Sequence, residues 1–475
     1  MIESADFLLS VIMTVPLSGV IFASLSKETP ESKGKNVCSV GIFCVIFNLL
    51  ILWITAQKIS LTGGGLQLTQ RFEWLEMPKI ELILGLDFFS LLLIAAVHFA
   101  VLLGLIGSYN TPYRLKTLVI LALLFLSMIT GYLMAADLFS FYIFFEAQLL
   151  PLFLLLGIFG AAKRPDILHR FFLFNLSGAV LLFMALMILF NYQTVSIADI
   201  SRAALSHNVE IFVWAAIFIA FLSRIPIWPF HYWISSVNVN IRHPLVFIIA
   251  NVLPLTGVYG LIRFFPLTAP DILDPYLLIL ETISIISMAV IALIGFENRD
   301  IQYKIFSYMT VYYILYLLGA LLPTDALLTN IGFSMFAWLI ITSAIVVIIT
   351  RIEKEKQLKN LGDCGILNGS KRNSVALSFF ILAAVGLPLS SLFLNNMLIF
   401  AGLLLYNLKM AIFILGAIIL SSLALLGHLF YMKYPLKPNE TKETLSDMPV
   451  SLFAVMGLTA TLLIASFINP LWYME

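Results

Sequence analysis

The stretch Leu138-Phe-Ser-Phe-Tyr-Ile-Phe-Phe-Glu146-Ala-Gln-Leu-Leu-Pro151-Leu-Phe-Leu-Leu-Leu-Gly157-Ile-Phe-Gly160 contains a single charged side chain. About 20 consecutive, mostly apolar residues predict a helix that spans a membrane. A carboxylate near the centre of such a helix costs roughly 2.5–3.5 kcal/mol on insertion scales, and ionisable residues retained there usually serve an ion or a proton. Glu146 is therefore a candidate proton site. The alternative is a protonated Glu146 that makes one hydrogen bond to a neighbouring helix.

Composition predicts the class of protein. Of the 475 residues, 61% are hydrophobic and only 11% are charged, whereas soluble domains have about 25% charged residues. The chain is predicted to be an all-α polytopic membrane protein, and its net charge of +1 gives no indication of a nucleic-acid partner. Cys38, Cys44 and Cys364 show neither the spacing of metal ligands nor a disulfide framework. We expect no metal and no cofactor in this chain.

Apolar runs recur along the whole length, and they predict one integral membrane domain over residues 1–475. Within it, residues 117–263 and 276–433 are predicted to form two half-channel repeats. The predicted segments, about fourteen in number, are 7–26, 38–57, 85–107, 117–135, 138–160, 171–191, 210–234, 243–263, 276–296, 303–322, 329–350, 373–406, 410–433 and 449–469.

Segments seven, eight and twelve are predicted to be broken helices. Proline interrupts the segments in Arg224-Ile-Pro226-Ile-Trp-Pro229, Asn251-Val-Leu-Pro254 and Gly386-Leu-Pro388. Proline removes a backbone donor and breaks a helix. In a bilayer such breaks occur where protein or a water-filled cavity satisfies the backbone, and they mark transporter sites.

Loop charges predict the orientation. Twenty of the 27 lysines and arginines lie in loops after odd-numbered segments, and five lie in loops after even-numbered segments. By the positive-inside rule, the odd loops face the cytoplasm or matrix. Both termini are therefore predicted on the periplasmic or intermembrane side.

Three further residues inside or beside apolar segments are candidates for chemistry. Arg224 pairs with a carboxylate but does not relay protons, because a guanidinium keeps its proton in proteins. His231 follows a proline-broken stretch, and a neutral imidazole passes protons near pH 7; the alternative is a packing histidine. Asp137 is placed to cap the fifth helix, with a supporting role in the site as the second reading.

Several motifs together resemble the antiporter-like membrane subunits of respiratory complex I. Glu146 with Pro151 and Gly157-Ile-Phe-Gly160 is most similar to chain M, the bacterial counterpart of mitochondrial subunit four. The other matching segments are Gly85-Leu-Asp87-Phe-Phe-Ser90, Arg170-Phe-Phe-Leu-Phe-Asn175, Pro226-Ile-Trp-Pro229-Phe-His231-Tyr-Trp233 and Tyr259-Gly260-Leu-Ile-Arg263. The resemblance covers about residues 85–462 and implies an inverted-repeat bundle of antiporter type.

The resemblance also implies site residues, and the sequence departs from several of them. Glu146, Arg224 and His231 fall on catalytic positions of the family, with Asp137, Arg170 and Asn396 in support. Arg224 replaces the lysine that the family pairs with the glutamate, so we predict an ion pair between Glu146 and Arg224 inside the membrane. The other departures are Leu255 at a lysine position, Asn396 at a charged position and Tyr313 at a histidine position. A proton path with these residues is interrupted at its centre and its exit.

The resemblance implies a proton-translocating membrane-arm subunit of NADH:quinone oxidoreductase, with pumping degraded by these losses. Its partners would be chain-L-type and chain-N-type subunits, and flavin, iron–sulfur clusters and quinone would belong to partner subunits. The bacterial inner membrane is the expected location, with the mitochondrial inner membrane as the alternative. Two other functions stay open: a cation/proton antiporter subunit, and a structural spacer that does not pump.

Overall fold

The fold is taken from a computed structural model of the chain. It describes residues 3–4, 7–26, 34–60, 65–75, 80–110, 113–160, 164–192, 196–202, 205–241, 243–267, 270–322, 325–356, 367, 369–388, 390–434 and 445–471. Cys364 and the lysines 27, 33, 79, 163, 359, 437 and 442 lie outside these ranges, as does Arg242.

Helices dominate the described residues. They are α1 (Leu8–Leu25), α2 (Lys35–Ala56), α3 (Phe88–Ser108), α4 (Leu115–Met134), α5 (Leu138–Ala147), α6 (Leu149–Phe159), α7 (Arg164–Asn191), α8 (His207–Leu222), α9 (His231–Asn240), α10 (Pro244–Phe264), α11 (Pro270–Glu297), α12 (Ile301–Ala320), α13 (Asp325–Lys356), α14 (Lys371–Val385), α15 (Ser391–Tyr406), α16 (Leu408–Lys433) and α17 (Val450–Leu471). Short 3₁₀ turns occur at Ile197–Arg202 and Phe265–Leu267.

Each predicted segment coincides with one helix or with two consecutive helices. Within the described ranges, ten helical spans are long and apolar enough to cross a membrane, and three shorter apolar helices accompany them. The chain is thus an all-α integral membrane protein, as predicted. The number of fourteen crossings stays a prediction.

Two of the three predicted breaks are present. The seventh segment divides into α8 and α9 around Pro226 and Pro229, and the twelfth divides into α14 and α15 around Pro388. In the second break Gly386 has φ +107°, a left-handed conformation that glycine adopts without a Cβ penalty.

The eighth segment differs from the prediction, because α10 runs without interruption through Pro254. Proline removes one backbone hydrogen bond, but the surrounding protein supports this helix, which is buried along its apolar length. A break lies instead in the fifth segment, between α5 and α6 at Gln148. Pro151 lacks the N–H that would donate to the carbonyl of Ala147, four residues earlier.

A small sheet, which the sequence analysis did not predict, adjoins the helices. Strand β2 (Leu68–Leu75) pairs antiparallel with β3 (Ile80–Leu86), and β1 (Glu3–Ser4) pairs parallel with β2. Leu68 lies opposite Leu86 in the register.

The chain divides into two compact units. The first comprises residues 1–241 and 249–282, and the second comprises residues 242–248 and 283–475. The first unit contains the α8–α9 break and the second contains the α14–α15 break. The repeat boundaries 117–263 and 276–433 stay a prediction.

Candidate functional site

Glu146 lies on the last turn of α5 and is half-buried. Helix α5 begins at Asp137, whose carboxylate accepts a hydrogen bond from the backbone N–H of Ser140 at 2.7 Å. Nine residues separate Asp137 from Glu146, which at 1.5 Å per residue is about 13 Å. The helix therefore places Glu146 more than two turns along its axis from the capped N-terminus.

Asp137 does more than cap one helix. It is fully buried, and its second carboxylate oxygen accepts the backbone N–H of Ile83 in β3 at 2.8 Å and the hydroxyl of Ser140. The predicted capping role is confirmed. The carboxylate also ties β3 to the start of α5.

Arg224 lies in the break between α8 and α9 and is fully buried. Its guanidinium donates one hydrogen bond to the hydroxyl of Thr256 on α10, at 3.1 Å, and another to the carbonyl oxygen of Phe145. The guanidinium carbon lies 3.2 Å from the centre of the Phe145 ring. Arg224 thus joins the α8–α9 break to the end of α5.

The sequence suggested an ion pair between Glu146 and Arg224. The two groups interact through their charges, but no nitrogen–oxygen contact within 4.0 Å joins them. Arg224 instead contacts the backbone of the preceding residue, Phe145. The charge of Arg224 is therefore held close to Glu146 by hydrogen bonds to neutral groups.

Gln148, at the break itself, is a site residue that the sequence analysis missed. It is fully buried, and its amide donates to the same Phe145 carbonyl at 3.2 Å. Two buried polar atoms at this junction, Gln148 Oε1 and Arg224 Nε, have no hydrogen-bond partner among the described residues. The sequence signal that could have identified Gln148 is a polar residue within an apolar run, three positions before Pro151.

A polar stripe on α10 continues from Arg224. Thr256, Tyr259 and Arg263 are spaced by three and four residues, which places them on one face of the helix. The hydroxyl of Tyr259 donates to the carbonyl of Leu133 at 2.7 Å, and Tyr132 donates to the carbonyl of Thr256 at 2.7 Å.

The stripe ends in an ion pair. Arg263 contacts the carboxylate of Asp87 at 2.6 Å, and it donates to the hydroxyls of Tyr259 and Ser90 at 2.8 Å each. Asp87 caps α3 by accepting the N–H of Ser90. These charges are paired, so the ends of α3 and α10 are held together.

Close packing of α8 and α10 keeps this geometry rigid. A Cβ added at Gly257 would lie 2.6 Å from the carbonyl oxygen of Phe221. Only glycine at this position lets α10 approach the helix that precedes Arg224.

Arg170 contacts the residue that follows His231. His231 begins α9 and is half-buried, and its Nδ1 has no hydrogen-bond partner among the described residues. The guanidinium of Arg170 on α7 lies 4.4 Å from the ring centre of Tyr232, the next residue. The described contacts do not join His231 to Glu146 or Arg224.

Asn396 lies in the second unit, on α15. Its side-chain oxygen is buried and has no hydrogen-bond partner among the described residues. Its neighbour Asn395 donates to the carbonyl of Ser391 at 2.7 Å. Tyr313, at the family's histidine position, is buried with its ring centre 4.7 Å from that of Trp338. Leu255, on α10 of the first unit, is fully buried.

Among the described residues, no group of three or more histidine, cysteine, aspartate or glutamate side chains is arranged to hold a metal ion. Cys38 and Cys44 are free and buried.

The family of the chain follows from comparison with known proteins. Residues 135–421 match the family described as NADH:quinone oxidoreductase/Mrp antiporter, transmembrane. This region includes α5, the α8–α9 break and α15, and it spans more than half of the chain. The protein belongs to this family, which confirms the resemblance carried by the motifs.

One similar protein is subunit M of the NADH-quinone oxidoreductase of Rickettsia conorii. It is 26% identical over 442 residues, which cover 90% of this chain and 87% of the relative. A chain of respiratory complex I from Thermus thermophilus has a similar fold, with a TM-score of 0.84 and 21% identity over 97% of this chain and 96% of that one. A chain of the Mrp complex from Dietzia has a TM-score of 0.80 and 18% identity over 98% and 95% of the two chains.

Proposed function

We propose that this chain is the chain-M-type subunit in the membrane arm of a proton-translocating NADH:quinone oxidoreductase, and that proton transfer through it is reduced. The similarity to subunit M of Rickettsia conorii over most of both lengths supports the first statement. Complex I of Thermus thermophilus supports the same architecture. The contacts of Arg224 support the reduced proton transfer.

The observation that carries the reduced transfer is the position of Arg224. Its guanidinium is fully buried and bonded to Phe145 and Thr256. A lysine at this position releases its proton when desolvated, whereas a guanidinium keeps its own. Arg224 therefore acts as a fixed positive charge close to Glu146 and not as a proton relay.

The later steps of the path are also missing titratable groups. Leu255 is buried and has no polar side-chain atom, and Asn396 does not change charge. A proton that reaches Glu146 has no lysine to move to within α10. An alternative path would run through His231 or through water near Arg224 Nε and Gln148 Oε1, which have no partner among the described residues.

The assembly implied by this proposal contains several other subunits. Neighbours of chain L and chain N type would complete the membrane arm in a bacterial inner membrane or, alternatively, a mitochondrial one. Flavin, iron–sulfur clusters and quinone would be held by partners. Twenty basic residues in the odd loops support termini on the periplasmic or intermembrane side.

The fold alone does not separate this proposal from a subunit of an Mrp-type cation/proton antiporter, because both kinds of complex contain similar chains. The named relatives and the lost titratable groups favour the oxidoreductase, since an independent antiporter requires its ion site. A spacer that does not pump is the limiting case of reduced transfer.

The test is the number of protons moved per NADH oxidised in vesicles that contain the whole complex. We expect Glu146→Gln to lower the amount of complex that assembles, and to leave the ratio of the assembled complex close to that of the unaltered one. A clear fall in the ratio at normal assembly would mean that the subunit does pump, by a path that replaces the missing lysine. Sodium-dependent proton exchange without NADH would favour the antiporter instead.

A further inference from the structure

A groove runs between α1 and α2 on the outside of the first unit. Its volume is about 760 Å³, within the roughly 300–1,000 Å³ of small-ligand sites. The lining is almost entirely apolar, and its large side chains are exposed, with Phe22 58% and Phe43 68% accessible. The principal lining residues are Val15, Phe22, Val40, Phe43, Cys44 and Phe47.

The depth of the groove matches one leaflet of a bilayer. On α2 it extends from Ser39 to Phe47, eight residues or about 12 Å along the helix. Half of a hydrocarbon core of roughly 30 Å is about 15 Å. The groove is therefore nearly as long as one leaflet is thick.

The surface end of the groove is basic. Lys116 of α4 donates to the carbonyls of Ser24 and Ser26 at 2.7 and 2.9 Å, and Ser26 lines the groove. An ammonium has three donors, and the described residues accept two of those of Lys116, so the third is available to a ligand. Lys35 is exposed one turn before Ser39, and its Nζ lies 5.6 Å from the ring centre of Tyr109.

We propose that an anionic phospholipid binds here, with one acyl chain in the α1–α2 groove and its phosphate between Lys35 and Lys116. An apolar channel one leaflet deep fits a hydrocarbon chain. The ammonium of Lys116 lies at its mouth, and Lys35 is an exposed cation one turn before Ser39 that could complement the same phosphate. Basic sites between membrane helices are typical of such headgroups. A zwitterionic lipid, which carries its own cation, would gain less from these lysines.

The test compares lipid retained by the purified full-length chain in native mass spectrometry. The detergent is chosen to strip bulk lipid, and the probes are phosphatidylglycerol and phosphatidylcholine. Val40→Trp fills the groove without touching a charge. Leu50→Trp is the matched control, because Leu50 is exposed on the same helix outside the groove. Lys35→Gln removes one charge from an exposed position and leaves the groove intact.

We expect the unaltered chain and Leu50→Trp to retain one phosphatidylglycerol, and Val40→Trp to lose it. Lys35→Gln is expected to lose the preference for phosphatidylglycerol over phosphatidylcholine. Equal retention in Val40→Trp and Leu50→Trp would overturn the site. Equal retention of both lipids by the unaltered chain would overturn the anionic headgroup. Loss of complex assembly in Val40→Trp with phosphatidylglycerol still bound would assign the groove to a neighbouring subunit and overturn the proposal.

Discussion

The guanidinium of Arg224 donates a hydrogen bond to the backbone carbonyl of Phe145, the residue that precedes Glu146. This contact couples the break of one helix, around Pro226, to the break of another, at Gln148. A buried cation close to a carboxylate but bonded to neutral groups is suited to stabilise charge rather than to transfer a proton. Arg224 thus keeps a positive charge, bonded to two helices, at the position where the resemblance implies a lysine.

Neutralising Glu146 is expected to destabilise the chain, because Arg224 then lacks a nearby negative charge. Leaving one member of a buried, contacting pair uncompensated costs about 3–5 kcal/mol, and we expect a smaller loss here because Glu146 is only half-buried and does not contact Arg224 directly. We expect Glu146→Gln to lower the thermal unfolding midpoint of the chain in detergent, and Glu146→Gln with Arg224→Leu to recover part of the loss. A double variant no more stable than Glu146→Gln would contradict the electrostatic coupling.

Replacing Gln148 tests the junction at the helix break. Gln148→Met keeps the length of the side chain but removes its hydrogen bond to Phe145, so the expected loss is about 1 kcal/mol in the free energy of unfolding. Leu149→Met, one residue away and only partly buried, is the control and should cost less. The measurement is denaturant unfolding in mixed micelles. Equal effects of the two substitutions would mean that the hydrogen bond has no stabilising role.

Asp447 is expected to make the start of α14 sensitive to pH. Its carboxylate accepts the N–H groups of Arg372, Asn373 and Met448 at 2.9, 3.3 and 3.0 Å. Desolvation alone would raise the pKa of the Asp447 carboxyl, but these three donors and the charge of Arg372 outweigh it, so the pKa lies below its ordinary value. A lowered folded-state pKa contributes stability above the unfolded pKa, and this stability is lost as the pH falls through the folded value.

Hydrogen exchange at the amides of Arg372 and Asn373 checks this prediction. Protection should fall at acid pH in the unaltered chain, whereas Asp447→Ala should lack this protection at every pH. Asp447→Asn retains an acceptor oxygen and should show protection that does not vary with acid pH. A pH-dependent loss in Asp447→Asn would assign the effect to another group.

Restoring a proton relay is expected to require three substitutions together. Arg224→Lys, Leu255→Lys and Asn396→Glu supply titratable groups at the positions where the family has charged residues, and a lysine takes part in transfer when desolvation shifts its pKa. The triple variant should raise the protons moved per NADH, whereas each single variant should not. Leu255→Lys alone should also be the least stable, because it buries an unpaired ammonium. A rise in the ratio with Arg224→Lys alone would show that the rest of the path is intact.

The orientation of the chain is open to cysteine labelling from outside intact cells. The labelling uses a Cys364→Ser background, which removes the cysteine that lies outside the described residues. Cys38 and Cys44 can stay, because both are buried. Lys58→Cys lies in a loop after an even-numbered segment and should react with an impermeant maleimide. Lys356→Cys, at the end of α13, should react only after the cells are opened. The reverse pattern would overturn the predicted topology.

Sequence by itself determined the class of protein and most of the helices. Long apolar runs with few charges have one stable solution in a bilayer, because every backbone group must be bonded within its own helix. Pro226, Pro229 and Pro388 correctly predicted two breaks, because proline removes a backbone donor. Asp137 correctly predicted a helix cap, because its carboxylate accepts a free N–H of the first turn. Each of these features depends on residues within a few positions of one another.

Only the tertiary structure decided what the buried polar groups contact. Proline at 254 predicted a break, but α10 is continuous because neighbouring helices enclose it, whereas the break near Pro151 is occupied by Gln148 and by Arg224 from another helix. The expected partner of Arg224 was the carboxylate of Glu146, and the observed partners are a carbonyl and a hydroxyl on two different helices. Hydrogen bonds depend on distance and direction within a few tenths of an ångström, and residues 79 positions apart in the chain carry no local pattern that fixes them.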